Sequence, residues 1–311
     1  MAASATPRSI CFGKLPIAGD FLRGDGAAPE FRELDDWIQH GSYESQQRIR
    51  DDWQPRFDAL PRAKFLWTNG QGVVIAGFWQ SSRDSVGRRY PFLIGVRLEN
   101  VKPQDYAALP FALADYFRDA KALLDTEFAG HDVVSAIEAA QALTCSIDWQ
   151  GAHAQLCAAQ AAATAQDAWA GHVDAPELLL HDLEQVASQQ NAPQYSLRWP
   201  TRGEDADIAF WLAAMARFGQ PEPHMLMWHG KQGAGKQGAS QQGCARVALC
   251  NLQPRLFAGM TFYEHEDDDA YDMGRGAEED QRMQQARTRF AATVRADNQS
   301  SAIATLPKEA S

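Results

Sequence analysis

Three short runs of apolar residues lie in the first third of the chain. Residues 65–67 and 73–79 are rich in β-branched and aromatic side chains, and Asn69-Gly70 between them is a strong local signal for a tight hairpin turn. Residues 73–79 do not alternate apolar with polar, which predicts a central strand covered by helices on both faces. With a third run at residues 92–98, the pattern predicts three antiparallel strands at the centre of the fold.

A polar loop separates the second and third of these runs. Residues 81–90 contain both signs of charge and a glycine, and Pro91 precedes the third run. Because buried strands hold the loop at each end, we expect function to reside there.

The rest of the chain alternates further strands with amphipathic or alanine-rich helices. Strands are predicted at residues 9–13, 195–199, 225–228 and 246–250. Helices are predicted at residues 29–50, 103–124, 133–143, 155–169, 176–186 and 208–218, with Pro110 as a bend in the second. This pattern indicates an α/β protein.

Domain boundaries follow from shifts in composition. We expect residues 1–8 to be disordered and residues 9–260 to form a single α/β domain. Its parts are residues 9–125, which carry the loop described above, and the helical and C-terminal residues 126–260. Residues 261–311 are acidic and poor in apolar side chains, which favours a solvated, disordered tail. A short amphipathic helix within this tail, formed on a partner, is the alternative.

Composition restricts the class of protein. The chain has 311 residues, 45% of them apolar, which is ample for a core, and no apolar run reaches the roughly 18 residues that a membrane span needs. The start of the chain has no apolar signal segment, so we expect a cytoplasmic protein without direct membrane insertion. Five cysteines without CxxC spacing suit reduced thiols. A net charge of −11 without a basic run argues against nucleic acid as a partner.

Apparent nucleotide and metal motifs do not withstand inspection. Residues 230–237 match GxxxxGK, but Gln237 stands where a phosphate loop needs Ser or Thr, and the match arises from the repeat GKQGA-GKQGA. A flexible hairpin insertion is the better interpretation. His224 and His229 fall on opposite faces of a predicted strand and lack a third ligand, so no metal site and no cofactor are expected.

Two loops remain as candidate sites. The first loop, residues 14–23, and the second loop, residues 81–89, hold the charged residues Lys14, Asp20, Arg23, Arg83, Asp84, Arg88 and Arg89. If their strands are neighbours, these charges converge. Three interpretations stay open: a structural role in which Asp20 or Asp84 caps backbone amides and Arg88 pairs with one of them, a recognition surface, and a catalytic carboxylate–arginine site.

The same two segments resemble the TagF (ImpM) family of bacterial type VI secretion. Residues 13–21 read GKLPIAGDF, similar to the family pattern GKxPxxGDF, and residues 84–91 read DSVGRRYP, similar to DxVGRxxP. The helix around Trp37 and the strand ending in Phe78-Trp79 also fit, so the resemblance covers roughly residues 8–125.

This resemblance implies a three-layer α/β/α sandwich with a mixed, largely antiparallel sheet. It also implies an accessory protein that represses assembly or firing of the secretion machine after translation, associated with the forkhead-associated scaffold protein Fha. No enzymatic activity follows from it.

Our leading hypothesis is therefore a binding protein that uses the two loops, with no catalytic residues. Asp20, Asp84 and Arg88 are expected to organise the loops first and to contact a partner second. The full set of binding or loop-organising residues is Lys14, Asp20, Arg23, Asp84, Gly87 and Arg88. The alternative is a hydrolase or phosphate-handling enzyme that uses Lys14, Asp20, Asp84 and Arg88. A purely structural subunit of the apparatus is a third interpretation.

Overall fold

One open sheet of nine strands forms the centre of the protein in a computed structural model, which describes Pro7 and residues 9–24, 29–163, 196–201, 203–217, 223–230, 244–262 and 270–272. The strands are β1 (Ser9–Gly13), β2 (Leu22–Gly24), β3 (Ala63–Thr68), β4 (Val74–Gln80), β5 (Phe92–Leu98), β6 (Ser196–Pro200), β7 (Met225–His229), β8 (Cys244–Ala248) and β9 (Ala270–Asp272). Their order across the sheet is β2-β1-β5-β4-β3-β7-β8-β6-β9. Every neighbouring pair is antiparallel except β6 and β9, which run parallel. The predicted α/β class with a mixed, largely antiparallel sheet is confirmed.

The predicted hairpin lies at the middle of this sheet. β3 and β4 pair from Thr68↔Val74 to Ala63↔Trp79, and the Asn69 side chain accepts hydrogen bonds from the backbone N–H groups of Gln71 and Val73. An asparagine that bonds the backbone two residues ahead favours a turn over a continued strand. The local turn chemistry therefore positions the central strands.

The described residues form eight α-helices. They are α1 (Pro29–Ile49), α2 (Trp53–Asp58), α3 (Leu109–Ala112), α4 (Ala114–Asp125), α5 (Val133–Gln141), α6 (Trp149–Ala163), α7 (Asp205–Arg217) and α8 (Leu256–Thr261), with 3₁₀ helices at Arg50–Asp52 and Pro103–Ala108. No helix in these described ranges is long and apolar enough to cross a membrane.

Alternating side chains of the strands feed two hydrophobic clusters. Along β4, Ile75 and Trp79 join the cluster that contains the apolar residues of α1 and α8, whereas Ala76 and Phe78 join the cluster that contains those of α4 and α7. Because successive strand residues point to opposite faces, the two clusters lie on opposite sides of the sheet. Burial on both faces explains why β4 lacks a polar face.

The helix predicted over residues 103–124 is instead divided into three pieces. A 3₁₀ helix ends at Ala108, α3 begins at Leu109 with Pro110 in its first turn, and α4 follows from Ala114. Proline has no N–H to donate and clashes with the carbonyl four residues earlier, so the chain starts a new helix there.

Several short elements were absent from the sequence prediction. α2, α8, β2 and β9 have three to six residues each, too few to show a clear hydrophobic period. β9 falls inside the tail predicted to be disordered, so that expectation does not hold for Ala270–Asp272. The predicted helix at residues 176–186 and the GKQGA repeat after residue 230 lie outside the described residues.

Candidate functional site

The two loops meet at one end of the sheet because their strands are neighbours. β1 pairs with β5, with Gly13 opposite Phe92, so the first loop leaves β1 where the second loop enters β5. Ser85 N–H donates to the Ala18 carbonyl at 2.8 Å, and the Arg88 guanidinium donates to the Gly19 carbonyl at 2.6 Å. The predicted convergence of the loops is present in the structure.

Asp84 is the centre of this meeting point. Its side chain is fully buried, and each carboxylate oxygen accepts two hydrogen bonds. Oδ2 accepts from Lys14 Nζ at 3.0 Å and from Arg88 Nε at 2.7 Å. Oδ1 accepts from the backbone N–H groups of Arg88 at 2.8 Å and Val86 at 3.2 Å. The carboxylate therefore joins a cation from each loop to the backbone of the second loop.

These contacts keep Asp84 ionised. Burial by itself raises the pKa of the carboxyl group, but the hydrogen bonds from Lys14, from the Arg88 amide and from the Arg88 side chain outweigh it and hold the pKa well below its ordinary value. Lys14 is itself buried, with its ammonium group also 4.9 Å from the centre of the Phe21 ring. A buried lysine and a buried aspartate each need the other for charge balance.

The second loop closes on itself around Asp84. The Asp84 N–H donates to the Arg88 carbonyl at 3.1 Å, and the Gly87 N–H donates to the Asp84 carbonyl at 3.0 Å. Gly87 has φ of +89°, a left-handed conformation that a side chain disfavours. This is the physical reason for a glycine between Val86 and Arg88.

Glycine is also required where the first loop begins. Gly13 has φ of +122°, and a Cβ atom there would lie 2.1 Å from the Pro91 carbonyl oxygen. The close approach of the two backbones therefore depends on the absence of a side chain at this position.

An aromatic and acidic group borders the network. The rings of Phe21 and Tyr90 stack edge to face at 4.8 Å, and the Tyr90 hydroxyl donates to the Asp35 carboxylate on α1. Burial, the hydrogen bond and the Asp35 charge all raise the pKa of Tyr90. Arg23 is 3.2 Å from the same carboxylate and lies over the Phe21 ring. These contacts attach the loops to α1.

The remaining charged residues of the two loops lie apart from this network. Asp20 is exposed and accepts a hydrogen bond from the next backbone N–H, that of Phe21. Arg89 pairs with Asp58 of α2 through two hydrogen bonds. Arg83 is exposed, and its backbone bridges to Arg89 across the loop.

Sequence reasoning missed several partners of the network. Asp35 lies on α1 and Asp58 on α2, and neither residue belongs to a motif that the sequence showed. Tyr90 was visible inside the second segment but gave no signal of its own. The sequence around a polar residue on a helix does not show which distant loop that residue contacts. These pairs are therefore seen only in the fold.

The surface above the buried network carries two exposed side chains. Val86 is 70% exposed at the tip of the second loop, and the adjacent Arg88 side chain is 59% exposed. Two cations share the one Asp84 carboxylate, so the three-residue group of Lys14, Asp84 and Arg88 carries a surplus positive charge. Arg88 is the exposed member of this group, because Lys14 and Asp84 are buried. Within the described ranges, no group of three or more His, Cys, Asp and Glu side chains could hold a metal ion.

Fold and site together define an α/β protein with a mixed open sheet, in which a buried ionic network fixes two loops beneath an exposed tip. Residues 10–144 match the model of the TagF N-terminal domain, which is described as type VI secretion system-associated. The matched range contains both loops and every residue of the network, which confirms the resemblance seen in the sequence.

The chain is similar to the crystal structure of PA0076 from Pseudomonas aeruginosa PAO1, with 18% sequence identity, a TM-score of 0.49, and coverage of 86% of this chain and 99% of that one. No match was found among curated proteins.

Proposed function

We propose that this protein is a cytoplasmic accessory protein of type VI secretion that represses assembly or firing of the machine after translation. It does so by binding another protein, and the forkhead-associated scaffold Fha is the partner that we propose. The observation that carries the proposal is the match of residues 10–144 to the type VI secretion-associated TagF N-terminal domain.

The geometry of the two loops supports binding as their role. Asp84 already accepts four hydrogen bonds, so its carboxylate is committed to holding the loops and not to proton transfer. Fixing a loop in advance reduces the entropy lost when a partner binds it. An exposed arginine next to an exposed apolar side chain on such a loop is typical of a protein contact.

The enzyme alternative gains no support from a particular observation among the described residues. Lys14 and Asp84 are buried, and Arg88 is bonded to Asp84 and Gly19. Asp20 stands outside the network. The four residues proposed for catalysis therefore do not line one open cleft together, and we propose that the protein has no enzymatic role.

The test is a binding titration of purified Fha from the same bacterium with the full chain and two matched variants. Val86→Asp places a charge at the tip of the second loop, and Val134→Asp places one on α5, where the native valine is 63% exposed. We expect Val86→Asp to weaken Fha binding at least tenfold, whereas Val134→Asp leaves it unchanged.

Two outcomes would overturn parts of this proposal. Absence of Fha binding by the unmodified chain would reject Fha as the partner. Equal affinity of all three chains would show that binding occurs away from the second loop. Secretion assays in cells that lack the protein complete the test, because repression predicts increased secretion in its absence.

A further inference from the structure

Five cations lie on the two loops, and four of them pair with carboxylates of the protein. The pairs are Lys14 and Arg88 with Asp84, Arg23 with Asp35, and Arg89 with Asp58. Arg83 is the exception, because it is exposed and its side chain forms no hydrogen bond or ion pair among the residues that the structure describes. The four paired cations hold the loops in place, whereas Arg83 is left facing solvent.

The backbone of the second loop fixes the side on which Arg83 lies. Asp84 and Arg88 are joined by a backbone hydrogen bond of 3.1 Å, so residues 83–89 form a short ribbon. Arg83 lies directly opposite Arg89 in this ribbon. Opposite residues share a face, and successive residues alternate between the two faces. Because the Asp84 side chain points into the buried network, Arg83 and Arg89 share the outer face.

Asp58 is the acidic partner on this outer face, and Arg89 engages both of its oxygens. Arg89 Nε and Nη2 donate to the two Asp58 carboxylate oxygens at 2.8 and 2.7 Å. Like charges directly opposite one another in a ribbon repel, and Arg83 has no carboxylate partner within the described ranges that offsets this repulsion. An anion that binds Arg83 would remove the repulsion. The outer face therefore favours a negatively charged group from outside the chain.

Val86 places an apolar side chain close to this cation. It is 70% exposed and follows Arg83 by three residues, so the Cα atoms of the two residues are at most about 11 Å apart. An exposed ion pair alone contributes little in water, but a neighbouring apolar contact that excludes water strengthens it. The two residues together suit a segment that carries an acidic and an apolar side chain at a similar spacing.

We propose that Arg83 determines the specificity of the second loop by binding a carboxylate on an acidic segment of the partner, while an apolar side chain of the same segment covers Val86. The inference rests on the binding role proposed above for this loop, and it specifies the chemistry of the partner. The planar guanidinium group can donate two parallel hydrogen bonds to a carboxylate. A phosphate group accepts the same pair of bonds, so the test compares the two anions.

The charge of the whole chain determines which variants test the site. With a net charge of −11, the chain repels an acidic partner at long range, so the attraction comes from cations at the contact itself. Arg83→Glu reverses the cation in question. Lys102→Glu is the matched control, because it changes the net charge by the same amount. Lys102 is exposed and follows β5 at the end opposite the second loop.

The first titration needs no secretion component. A fluorescent, acetylated and amidated peptide of alternating glutamate and leucine is added to each chain, and binding is followed by anisotropy. We expect Arg83→Glu to weaken binding at least about fivefold, whereas Lys102→Glu leaves it unchanged. The same peptide with glutamine in place of glutamate should not bind the unmodified chain. If a peptide with phosphoserine in place of glutamate bound more than about tenfold more tightly, the site would be one for phosphate and the carboxylate assignment would be wrong.

The second titration uses purified Fha, and Arg83→Glu should weaken its binding at least about tenfold relative to the unmodified chain and to Lys102→Glu. Absence of Fha binding by every chain, with peptide binding that still depends on Arg83, would reject Fha as the partner and support the site. Equal affinity of the three chains for the peptide or for Fha, or equal affinity of the glutamate and glutamine peptides, would overturn the inference. Should Arg83→Glu unfold at a lower temperature than Lys102→Glu, both titrations are repeated with Arg83→Gln, which removes the charge without adding a carboxylate. Unchanged affinity of that chain would reject the site.

Discussion

At the scale of single residues, one buried carboxylate explains why two distant segments have their particular sequences. Asp84 bonds to a cation from each loop, Lys14 and Arg88. The left-handed conformation of Gly87 forms the turn that directs backbone N–H groups of the second loop to the same carboxylate. The sequence suggested that Arg88 pairs with Asp20 or Asp84. It could not choose between them, because polar loops have no periodicity that shows which carboxylate faces inwards.

Substitution of Asp84 by asparagine should destabilise the protein strongly. Asp84→Asn keeps the size of the side chain but leaves the buried Lys14 without its charged partner, which lowers the melting temperature by on the order of 10 °C. Asp115→Asn is the control, because that side chain is 83% exposed and its partner Arg118 is exposed as well. Calorimetry should show almost no change for it, and equal shifts for the two variants would contradict the buried network.

The stability difference between the unmodified chain and Asp84→Asn should depend on pH. A carboxyl group whose pKa is lowered by folding stabilises the native state above its unfolded pKa of about 4, and that contribution is lost as the pH falls towards the folded pKa. The difference in urea midpoint between the unmodified chain and Asp84→Asn should be constant from about pH 8 to pH 5. It should shrink as the pH decreases below about 4. A difference that grows in acid would contradict the assigned ionisation.

At the scale of elements, the six-residue helix α8 was not predicted from the sequence, yet it determines how α1 packs. Phe257 of α8 packs against Trp37 and Trp79, and the indole N–H of Trp37 donates to the Gln253 carbonyl just before α8. A Cβ atom on Gly41 of α1 would lie 2.3 Å from Phe257 Cβ. The helix predicted over residues 29–50 corresponds to α1, but the need for Gly41 depends on a helix more than 200 residues away.

Two glycine substitutions test this packing. Gly41→Ala forces α1 away from the fixed base of a core ring, and overpacking of this kind costs about 1–3 kcal/mol of unfolding free energy. Gly151→Ala is the matched control, since its Cβ would lie 2.4 Å from the end of the Asp148 side chain and would not meet a core ring. Alanine also favours a helix over glycine, so we expect Gly151→Ala to be neutral or stabilising in urea denaturation. Destabilisation by Gly151→Ala alone would contradict the contact.

At the scale of the whole molecule, the sheet continues beyond the matched TagF region. β3 belongs to residues 10–144, yet its residues Lys64–Trp67 pair with β7 from the later part of the chain. Hairpin neighbours such as β3, β4 and β5 were predictable because turn chemistry joins them locally. The pairings of β1 with β5 and of β3 with β7 join segments that are distant in the sequence. The amino-acid pattern of a strand does not show which distant strand lies beside it.

A fragment that ends at residue 145 should therefore behave differently from the full chain. It loses β7 and exposes the edge of β3, whose Phe65, Leu66 and Trp67 are buried in the intact sheet. We expect this fragment to self-associate in size-exclusion chromatography, whereas the full chain unfolds in one cooperative transition by both circular dichroism and tryptophan fluorescence. A monomeric, folded fragment would show that the two parts are independent.

The contact between Lys14 and Asp84 spans 70 positions in the sequence, and this has a consequence for the order of events in folding. Contacts of such separation form only after the entropy of closing the intervening chain has been lost. The second loop takes its final shape after β1 has reached β5, which requires the first third of the polypeptide to have been synthesised and brought together. A partner that binds Val86 and Arg88, as proposed above, would therefore bind the folded protein in preference to nascent or partly unfolded chains.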